Sequence, residues 1–253
     1  MIVGVDLGGT QVRLAIADQA GVITSVSRAA TPELAGPQGT IAWLAAEVRR
    51  LGPGRRPLVV GVGVPGPCDP GTGVLINPPN LAGWPRNLPF GRLLAEALGA
   101  PVHLENDANL AALAELRRGA GRGVGNLVYV TWSTGIGAGL ILGGQLYSGP
   151  HGSAGEIGHM VLDPAGPLCS CGTRGCTEAY ASGSAIARRT GRPAAEVFAA
   201  ALRGEREALE VVQDAAGMVG LALMNLANLV DPELIVMGGG ITTSWGLVRR
   251  ALY

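Results

Sequence analysis

The stretch that decides the fold is Ile2–Leu14, which reads IVGVDLGGTQVRL. An apolar run leads into a turn of small residues that carries a hydroxyl, and a second apolar run follows. A second copy of this pattern, Leu127–Gly139, reads LVYVTWSTGIGAG. Each copy taken alone predicts an ordinary β-hairpin. Because glycine-rich turns expose backbone N–H groups that bind anions, two copies in one chain favour a polyphosphate ligand.

The composition predicts a globular protein that does not bind nucleic acid. The chain has 253 residues and 19 Lys+Arg against 19 Asp+Glu, so its formal net charge is zero. A neutral chain with 4% aromatic residues lacks both the basic surface and the stacking platform of a nucleic-acid binder. Its 41 Gly and 17 Pro approach the composition of disordered proteins, but 47% hydrophobic residues supply a core. This length suits one large domain or two modest lobes.

No targeting or membrane segment is predicted. The N-terminus, Met1–Asp6, has no basic region and carries an acid where the apolar part of a signal peptide would continue. The longest apolar helical stretch, Ala215–Val230, is interrupted by glycine and asparagine, and it falls short of the ~20 residues that a membrane span needs. We therefore expect a cytoplasmic protein.

Short β-like runs alternate with longer helical patterns, which is typical of α/β architecture. Strands are predicted at Ile2–Asp6, Val12–Ala17, Leu58–Val64, Val102–Glu105, Leu127–Thr131, Ala138–Leu142 and Leu234–Met237. Helices are predicted at Thr40–Leu51, Ala108–Arg118, Ala194–Leu202 and Glu205–Val230. Turn-rich joints are predicted at Pro65–Pro79, Gly119–Gly125 and Gly143–Gly155.

A cluster of cysteines suggests a metal site. Cys169, Cys171 and Cys176 are closely spaced in a glycine-containing loop, and His159 lies upstream. Zn²⁺ takes four tetrahedral nitrogen and sulfur ligands, and Cys₃His is a closed structural set. The alternative is a group of buried, inert thiols. A disulfide framework is not predicted, because cysteines separated by one residue pair poorly with each other.

The tripeptide Glu105–Asp107 lies between a predicted strand and a predicted helix. Asn106 or Asp107 is a good N-cap at the positive end of the helix dipole. The same position also places a carboxylate at the mouth of an α/β sheet, where ligands tend to bind. Both interpretations can hold at once.

Several motifs together resemble a known family. Asp6–Thr10 and Ser133–Gly137 resemble the paired phosphate loops of the actin-like ATPase superfamily. Four further motifs are Gly61–Pro67 (GVGVPGP), Glu105–Asn109 (ENDAN), Gly155–His159 (GEIGH) and Cys169–Glu178 (CSCGTRGCTE). In combination, from Ile2 to Gly240, the chain is similar to the ROK family of bacterial sugar kinases, repressors and relatives, and specifically to its glucokinase-like members.

The resemblance implies a two-lobed actin-like ATPase (ribonuclease H-like) fold with duplicated β-hairpin phosphate loops. The lobes would be residues 1–106 and a larger part, residues 107–253, that carries the zinc loop. The implied activity is ATP-dependent phosphorylation of a hexose, with glucose first, in a homodimer or homotetramer. The alternatives are kinases of N-acetylmannosamine, fructose or allose, and a non-catalytic sugar sensor or repressor-derived protein. Family repressors carry a helix-turn-helix ahead of the kinase-like part, whereas the first phosphate loop here begins at Asp6.

The resemblance also implies site residues. Asp107 would be the general base, a role typically worth ~10²–10⁴ in rate. The implied sugar-binding residues are Gly66, Asn80, Asn106, Asp107, Glu156, His159 and Glu178. ATP and Mg²⁺ would bind at Asp6, Gly8, Gly9, Thr10, Thr134, Gly135, Gly137 and Gly239. Structural Zn²⁺ would bind at His159, Cys169, Cys171 and Cys176.

Some of these residues have simpler explanations. Asn80 beside prolines is also a common turn residue. Gly66 stands in a Pro-Gly-Pro turn that needs a glycine in any case.

Three features depart from the family pattern. Gln11 stands where a lysine is common, which removes a phosphate contact, and Trp132 and Ser133 precede the second loop where a glycine is usual. The chain also stops at Tyr253, earlier than typical relatives, so the C-terminal end of the second lobe is expected to be short.

Overall fold

The computed structural model describes residues 1–78 and 80–252; Pro79, in a predicted joint, and Tyr253, at the end of the predicted second lobe, lie outside them. The chain divides into two compact units. Unit 1 comprises Met1–Leu110 with Pro150–Gly152, and unit 2 comprises Ala111–Gly149 with Ser153–Tyr253. The sequence-based boundary at 106/107 falls at the start of the helix within which this division occurs.

Unit 1 is built on a five-stranded sheet. The strands are β1 Ile2–Leu7, β2 Gln11–Ala17, β3 Ile23–Ala30, β4 Val59–Val64, β5 Cys68–Asp69, β6 Val74–Leu75 and β7 Val102–Asn106. The helices are α1 Pro37–Leu51 and α2 Phe90–Leu98, with a 3₁₀ turn at Thr31–Leu34, and α3 Asp107–Arg118 begins in unit 1 and continues into unit 2. The sheet order is β3-β2-β1-β4-β7, and β5 and β6 form a separate two-stranded sheet.

Alternation of apolar residues explains the central strands of unit 1. Val3, Val5 and Leu7 of β1 are buried, while the residues between them face outward or are half-buried. β1 pairs antiparallel with β2 and parallel with β4, and β7 continues parallel to β4. Phe90 and Leu94 of α2 complete the core. The polar ends of β1 and β7 therefore come at the same edge of one sheet, as expected for parallel strands.

Unit 2 has a four-stranded sheet. Its strands are β8 Leu127–Trp132, β9 Ile136–Leu142, β10 Gln145–Leu146 and β11 Leu234–Gly238. Its helices are α4 Thr177–Ala181, α5 Gly183–Thr190, α6 Ala194–Leu202, α7 Arg206–Val230 and α8 Trp245–Val248. Short 3₁₀ turns lie at Ile157–His159, Gly240–Ser244 and Arg249–Ala251.

The two sheets repeat one another, as the paired hairpins predict. In unit 1, β2, β1 and β4 are neighbours, and in unit 2 β9, β8 and β11 are neighbours in the same order. The pairing senses also match, because each hairpin is antiparallel and each following strand is parallel. Among the described residues, β7 has no counterpart in unit 2, which leaves β11 at the edge of its sheet.

Helix α7 is the longest helix and carries much of the core of unit 2. Ala215, Val219 and Leu226 lie on its buried side. Within the described residues it is the one helix whose length and apolar composition would suffice for a membrane span, and 39% of its most apolar window is buried. Leu229 and Met224 are exposed, and a groove of about 860 Å³ runs between α7 and β11.

Candidate active site and metal cluster

The first hairpin loop is tightly held within unit 1. The Thr31 hydroxyl donates to Gly8 O at 2.7 Å, and the Thr31 N–H donates to Thr10 O at 3.0 Å. A Cβ at Gly9 would overlap the carbonyl oxygen of Asn80. The structure thus brings the predicted phosphate loop into contact with Asn80, one of the predicted sugar-binding residues, and only glycine allows this approach.

Asp6 stands opposite Arg13 in the register of β1 and β2. Arg13 Nη1 lies 3.5 Å from Asp6 Oδ2, and Arg13 Nε donates to Gln11 Oε1 at 3.0 Å. The Asp6 side chain is 56% exposed, so its oxygens remain accessible to a cation. Sequence reasoning missed Arg13, although counting outward from the turn pairs it with Asp6. The Arg13 guanidinium therefore places a positive charge beside Gln11, the neutral residue that stands where a lysine is common in the family.

Asn106 and Asp107 lie where β7 ends and α3 begins. Asn106 Oδ1 accepts from the Ala108 N–H at 2.9 Å, and Asn106 Nδ2 donates to Gly66 O at 3.3 Å. Asp107 Oδ1 also accepts from the Ala108 N–H, at 2.8 Å. Asn106 therefore caps the helix as expected and contacts Gly66, which brings together three of the predicted sugar-site residues of unit 1.

Glu105 and Asn109 were not predicted to act at this site, yet their hydrogen bonds stabilise the turn between β7 and α3. Glu105 Oε1 accepts from the Asn106 N–H and from Asn109 Nδ2, both at 2.9 Å. Asn109 is buried. The thiol of Cys68 lies nearby, and burial, followed by the charges of Glu105 and Asp69, raises its pKa to about 12. That thiol is therefore neutral at physiological pH.

The second hairpin loop contacts a predicted sugar-binding residue of unit 2. The Ser133 N–H donates to Gly135 O at 2.9 Å, which closes the turn. The Ile136 N–H donates to Glu178 Oε2 at 3.0 Å, and a Cβ at Gly135 would lie 2.8 Å from the same oxygen. Gly137 follows directly in β9. Glu178 thus contacts the loop as well as belonging to the predicted sugar-binding set.

Glu156 and His159 lie together at a 3₁₀ turn of unit 2. His159 Nε2 is 3.9 Å from Glu156 Oε2. Burial raises the pKa of the Glu156 carboxyl, the charge of His159 lowers it, and the charge of Glu178 raises it. These three predicted sugar-binding residues are therefore within electrostatic reach of one another.

The four predicted metal ligands converge. The ligand atoms of His159, Cys169, Cys171 and Cys176 all lie within 4.8 Å of one another. Cys169 Sγ is 3.7 Å from His159 Nδ1, and Cys171 Sγ is 3.7 Å from Cys176 Sγ. Zinc with bonds of ~2.3 Å to sulfur sets tetrahedral sulfurs ~3.8 Å apart. The donor set and its spacing therefore fit zinc, with the other ring nitrogen of His159 facing Glu156.

Two of the thiols differ in acidity. A hydrogen bond from the Thr173 backbone lowers the pKa of Cys171 to about 7, whereas burial raises that of Cys176 to about 12. A metal binds both as thiolates, so its affinity falls as protons compete at low pH.

Gly239 lies against the second hairpin. It has a φ of 93°, and a Cβ there would overlap Trp132 O. Beside it is a pocket of about 600 Å³, a volume within the range of small-molecule sites. The lining includes Ser133, Thr134, Ser184, Phe198, Ile241 and Thr243. Thr134 and Gly240, the residue after Gly239, thus line one mostly apolar pocket with hydroxyl groups in its wall.

The model of the ROK family matches residues 2–252. The glucokinase of Thermotoga maritima is 36% identical to this chain over 95% of the chain and 82% of the relative. The crystal structure of a ROK hexokinase from Thermus thermophilus is similar at a TM-score of 0.84 and 39% identity, covering 99% of this chain and 87% of that one. A ROK family glucokinase from Streptomyces griseus in complex with glucose and AMPPNP has a TM-score of 0.84 and 33% identity, covering 99% and 86%.

Proposed function

Because the chain belongs to the ROK family, we propose that it transfers the terminal phosphoryl group of ATP to the 6-hydroxyl of glucose. The observation that carries this proposal is the repeated hairpin. The two sheets have the same strand order, and in each sheet the corresponding hairpin turn contains glycines. Such loops present backbone N–H groups to phosphates. The enzyme is thus an ATP-dependent hexokinase of glucokinase type.

Asp107 is the general base. It accepts the proton of the attacking hydroxyl, which makes that oxygen a better nucleophile. Asn106 binds the sugar while its own position is fixed by Gly66 and by the first turn of α3. Because transfer of a phosphoryl group depends mainly on positioning and electrostatics, a rigid turn at this place supports catalysis.

The remaining polar residues divide between sugar and nucleotide. Asn80, Glu156 and Glu178 offer oxygen acceptors to neighbouring hydroxyls, and His159 offers the N–H of the ring nitrogen that does not bind zinc. Such a set suits a polyol better than an anion. The turns that contain Gly8, Gly9 and Thr10 and Thr134, Gly135 and Gly137 bind phosphate oxygens through backbone N–H groups other than those of Gly8 and Ile136, which are donated to Gln11 O and Glu178 Oε2. Gly239 precedes Gly240, a lining residue of the adenosine pocket. Arg13 supplies positive charge beside the first loop in place of the lysine that Gln11 replaces.

Two metals belong to the proposal. Asp6 would hold Mg²⁺, which when bound offsets charge on the transferring phosphoryl group. His159, Cys169, Cys171 and Cys176 would hold zinc in a closed shell, so its role is to fix the position of His159 beside Glu156. We further propose that the protein works in the cytoplasm as a homodimer or homotetramer.

The test is an ADP-release assay with glucose, N-acetylmannosamine, fructose and allose. We expect the highest kcat/KM with glucose, and we expect Asp107→Ala to lower kcat by ~10²–10⁴ because the proton acceptor is lost. Asp214→Asn is the matched control, because Asp214 is an exposed carboxylate on α7 that pairs only with Arg189 among its described ion pairs.

Each contrary outcome has a distinct meaning. Full turnover of Asp107→Ala would remove the general-base assignment. A higher kcat/KM for another hexose would change the acceptor but keep the kinase. Glucose binding without turnover on any sugar would favour the non-catalytic sensor.

A further inference from the structure

The second phosphate loop is bonded along its length to the segment that follows the metal cluster, α4–α5. The bonds run from both ends of the loop to backbone and side-chain atoms of this segment. They are Trp132 Nε1 to Ala181 O at 2.7 Å, Gly183 N–H to Ser133 O at 2.8 Å, Ser184 N–H and Oγ to Thr134 O at 3.1 and 3.0 Å, and Ile136 N–H to Glu178 Oε2 at 3.0 Å.

The same segment begins at a metal ligand. Cys176 is the residue that precedes the first turn of α4. Thr177, which is fully buried, donates both its N–H and its hydroxyl to Met160 O, at 2.9 and 3.2 Å. Met160 is the residue after His159, another ligand. The segment that carries His159 and the segment that carries Cys176 are therefore hydrogen-bonded to each other at the start of α4.

Close packing leaves little room for α4 to move independently of the loop. A Cβ at Gly183 would lie 2.8 Å from Ser133 O, and a Cβ at Gly135 would lie 2.8 Å from the Glu178 carboxylate. Trp132 is fully buried. Because packed interiors transmit displacement rather than absorb it, a shift in the position of Cys176 changes the loop geometry through α4.

We propose that metal binding at the Cys₃His cluster and nucleotide binding at the second phosphate loop are energetically coupled through α4, with Glu178 as the positioning residue. Glu178 lies two residues after Cys176 and accepts from the Ile136 N–H, so it links the cluster to the loop directly. This rests on the proposed function, which assigns the loop to phosphates and the cluster to zinc. Glu178 thus orients the phosphate loop in addition to its sugar contact.

Coupling of this kind is reciprocal. If zinc raises the affinity for the nucleotide by some factor, the nucleotide raises the affinity for zinc by the same factor, typically ~5–150-fold. The measurement is the zinc Kd of the whole chain by competition with a chromophoric chelator, with and without AMPPNP and Mg²⁺ and without sugar. We expect at least a fivefold lower Kd for zinc in the presence of AMPPNP.

AMPPNP affinities of the variants are compared with zinc bound, so that loss of metal does not unfold them, and the linkage is measured by the same chelator competition as for the wild type. Glu178→Ala should weaken AMPPNP binding about tenfold in the absence of sugar and abolish the linkage. Glu178→Gln should retain most of the AMPPNP affinity and most of the linkage, because its amide oxygen still accepts from the Ile136 N–H. Glu210→Ala, at an exposed position of α7, is the control for surface charge and should change neither.

The outcomes separate this inference from the function on which it rests. A wild-type protein that binds neither AMPPNP nor zinc contradicts both. A protein that binds both ligands, but whose zinc Kd is the same with and without AMPPNP, contradicts the coupling alone. If Glu178→Ala lowers the affinity for glucose but leaves the affinity for AMPPNP at the wild-type value, Glu178 contacts only the sugar. That result would overturn its positioning role.

Discussion

Arg13 is the residue whose contribution depends most directly on the fold. In the sequence it is one of several arginines, and nothing in its neighbours marks it. The hairpin sets it opposite Asp6 and beside Gln11, which places a guanidinium next to the first proposed phosphate loop. A single cross-strand pairing thus restores the charge that the loop motif lacks.

Arg13→Ala should raise the KM for ATP about fivefold with little change in the KM for glucose. The expected loss is that of one exposed, charge-assisted hydrogen bond, ~1 kcal/mol. Steady-state kinetics with each substrate varied in turn measures it. The control is Arg92→Ala, an exposed arginine of α2 paired with Glu96. Gln11→Lys added to Arg13→Ala should recover most of the affinity, and an unchanged KM in Arg13→Ala would show that Arg13 does not contact the nucleotide.

At this scale, sequence motifs predicted candidate site residues but not the residues that hold them in place. The convergence of the four proposed metal ligands could be predicted, because residue type and spacing carry that information. Glu105 and Asn109 could not, because their bond depends on how β7 meets α3. The contact of Glu178 with Ile136 likewise exists only once the hairpin and α4 pack together.

At the scale of elements, the regular strands and the long helices were predicted well and the short elements poorly. Helix α7 was predicted to within one residue of its start. Strand β3 was missed because an edge strand with exposed valine and isoleucine shows only weak alternation. Helices α4 and α5 were missed because they are short and rich in small residues, so the helical spacing of large apolar residues is not visible in their sequences.

Trp132, at the end of β8, donates a hydrogen bond to Ala181 at the end of α4. Replacing Trp132 by phenylalanine should therefore destabilise unit 2. Trp132→Phe leaves the buried carbonyl of Ala181 without its 2.7 Å hydrogen bond and opens a cavity, at an expected cost of about 2–4 kcal/mol. Urea denaturation followed by circular dichroism measures the change. Trp245→Phe, at a partly exposed tryptophan, should cost less than about 1 kcal/mol; equal losses in the two variants would contradict this role for Trp132.

At the scale of the whole molecule, the duplication of the hairpin and its sheet is the feature that the sequence predicted best. Two copies of one local pattern became two sheets with the same strand order and pairing senses. The exposed apolar side chains of α7 were not predicted, because composition reports how apolar a helix is and not which of its residues face outward. Met224 lines the groove beside the edge strand β11, and Leu229 is exposed elsewhere on the same helix, so unit 2 carries exposed apolar surface on α7.

Such a surface favours self-association at high concentration. Leu229, with 82% of its surface exposed, is the position to change. Leu229→Gln should reduce concentration-dependent light scattering while altering the free energy of unfolding by less than about 0.5 kcal/mol. Leu226→Gln, one turn earlier and buried, should instead cost about 2–4 kcal/mol. If Leu229→Gln destabilises the protein as much as Leu226→Gln does, the Leu229 side chain is packed rather than exposed.

The parallel pairing of β8 with β11 also sets an order of events during synthesis. Leu127 pairs with Leu234, so the metal loop and helices α4 to α7 all emerge from the ribosome between the two partners. The five strands of the unit 1 sheet, by contrast, are complete once β7 has been made. Because a domain can fold as soon as its strands are available, the first sheet forms early and the second must wait. A ribosome that stalls before Leu234 therefore leaves the four proposed zinc ligands attached to an unfinished sheet.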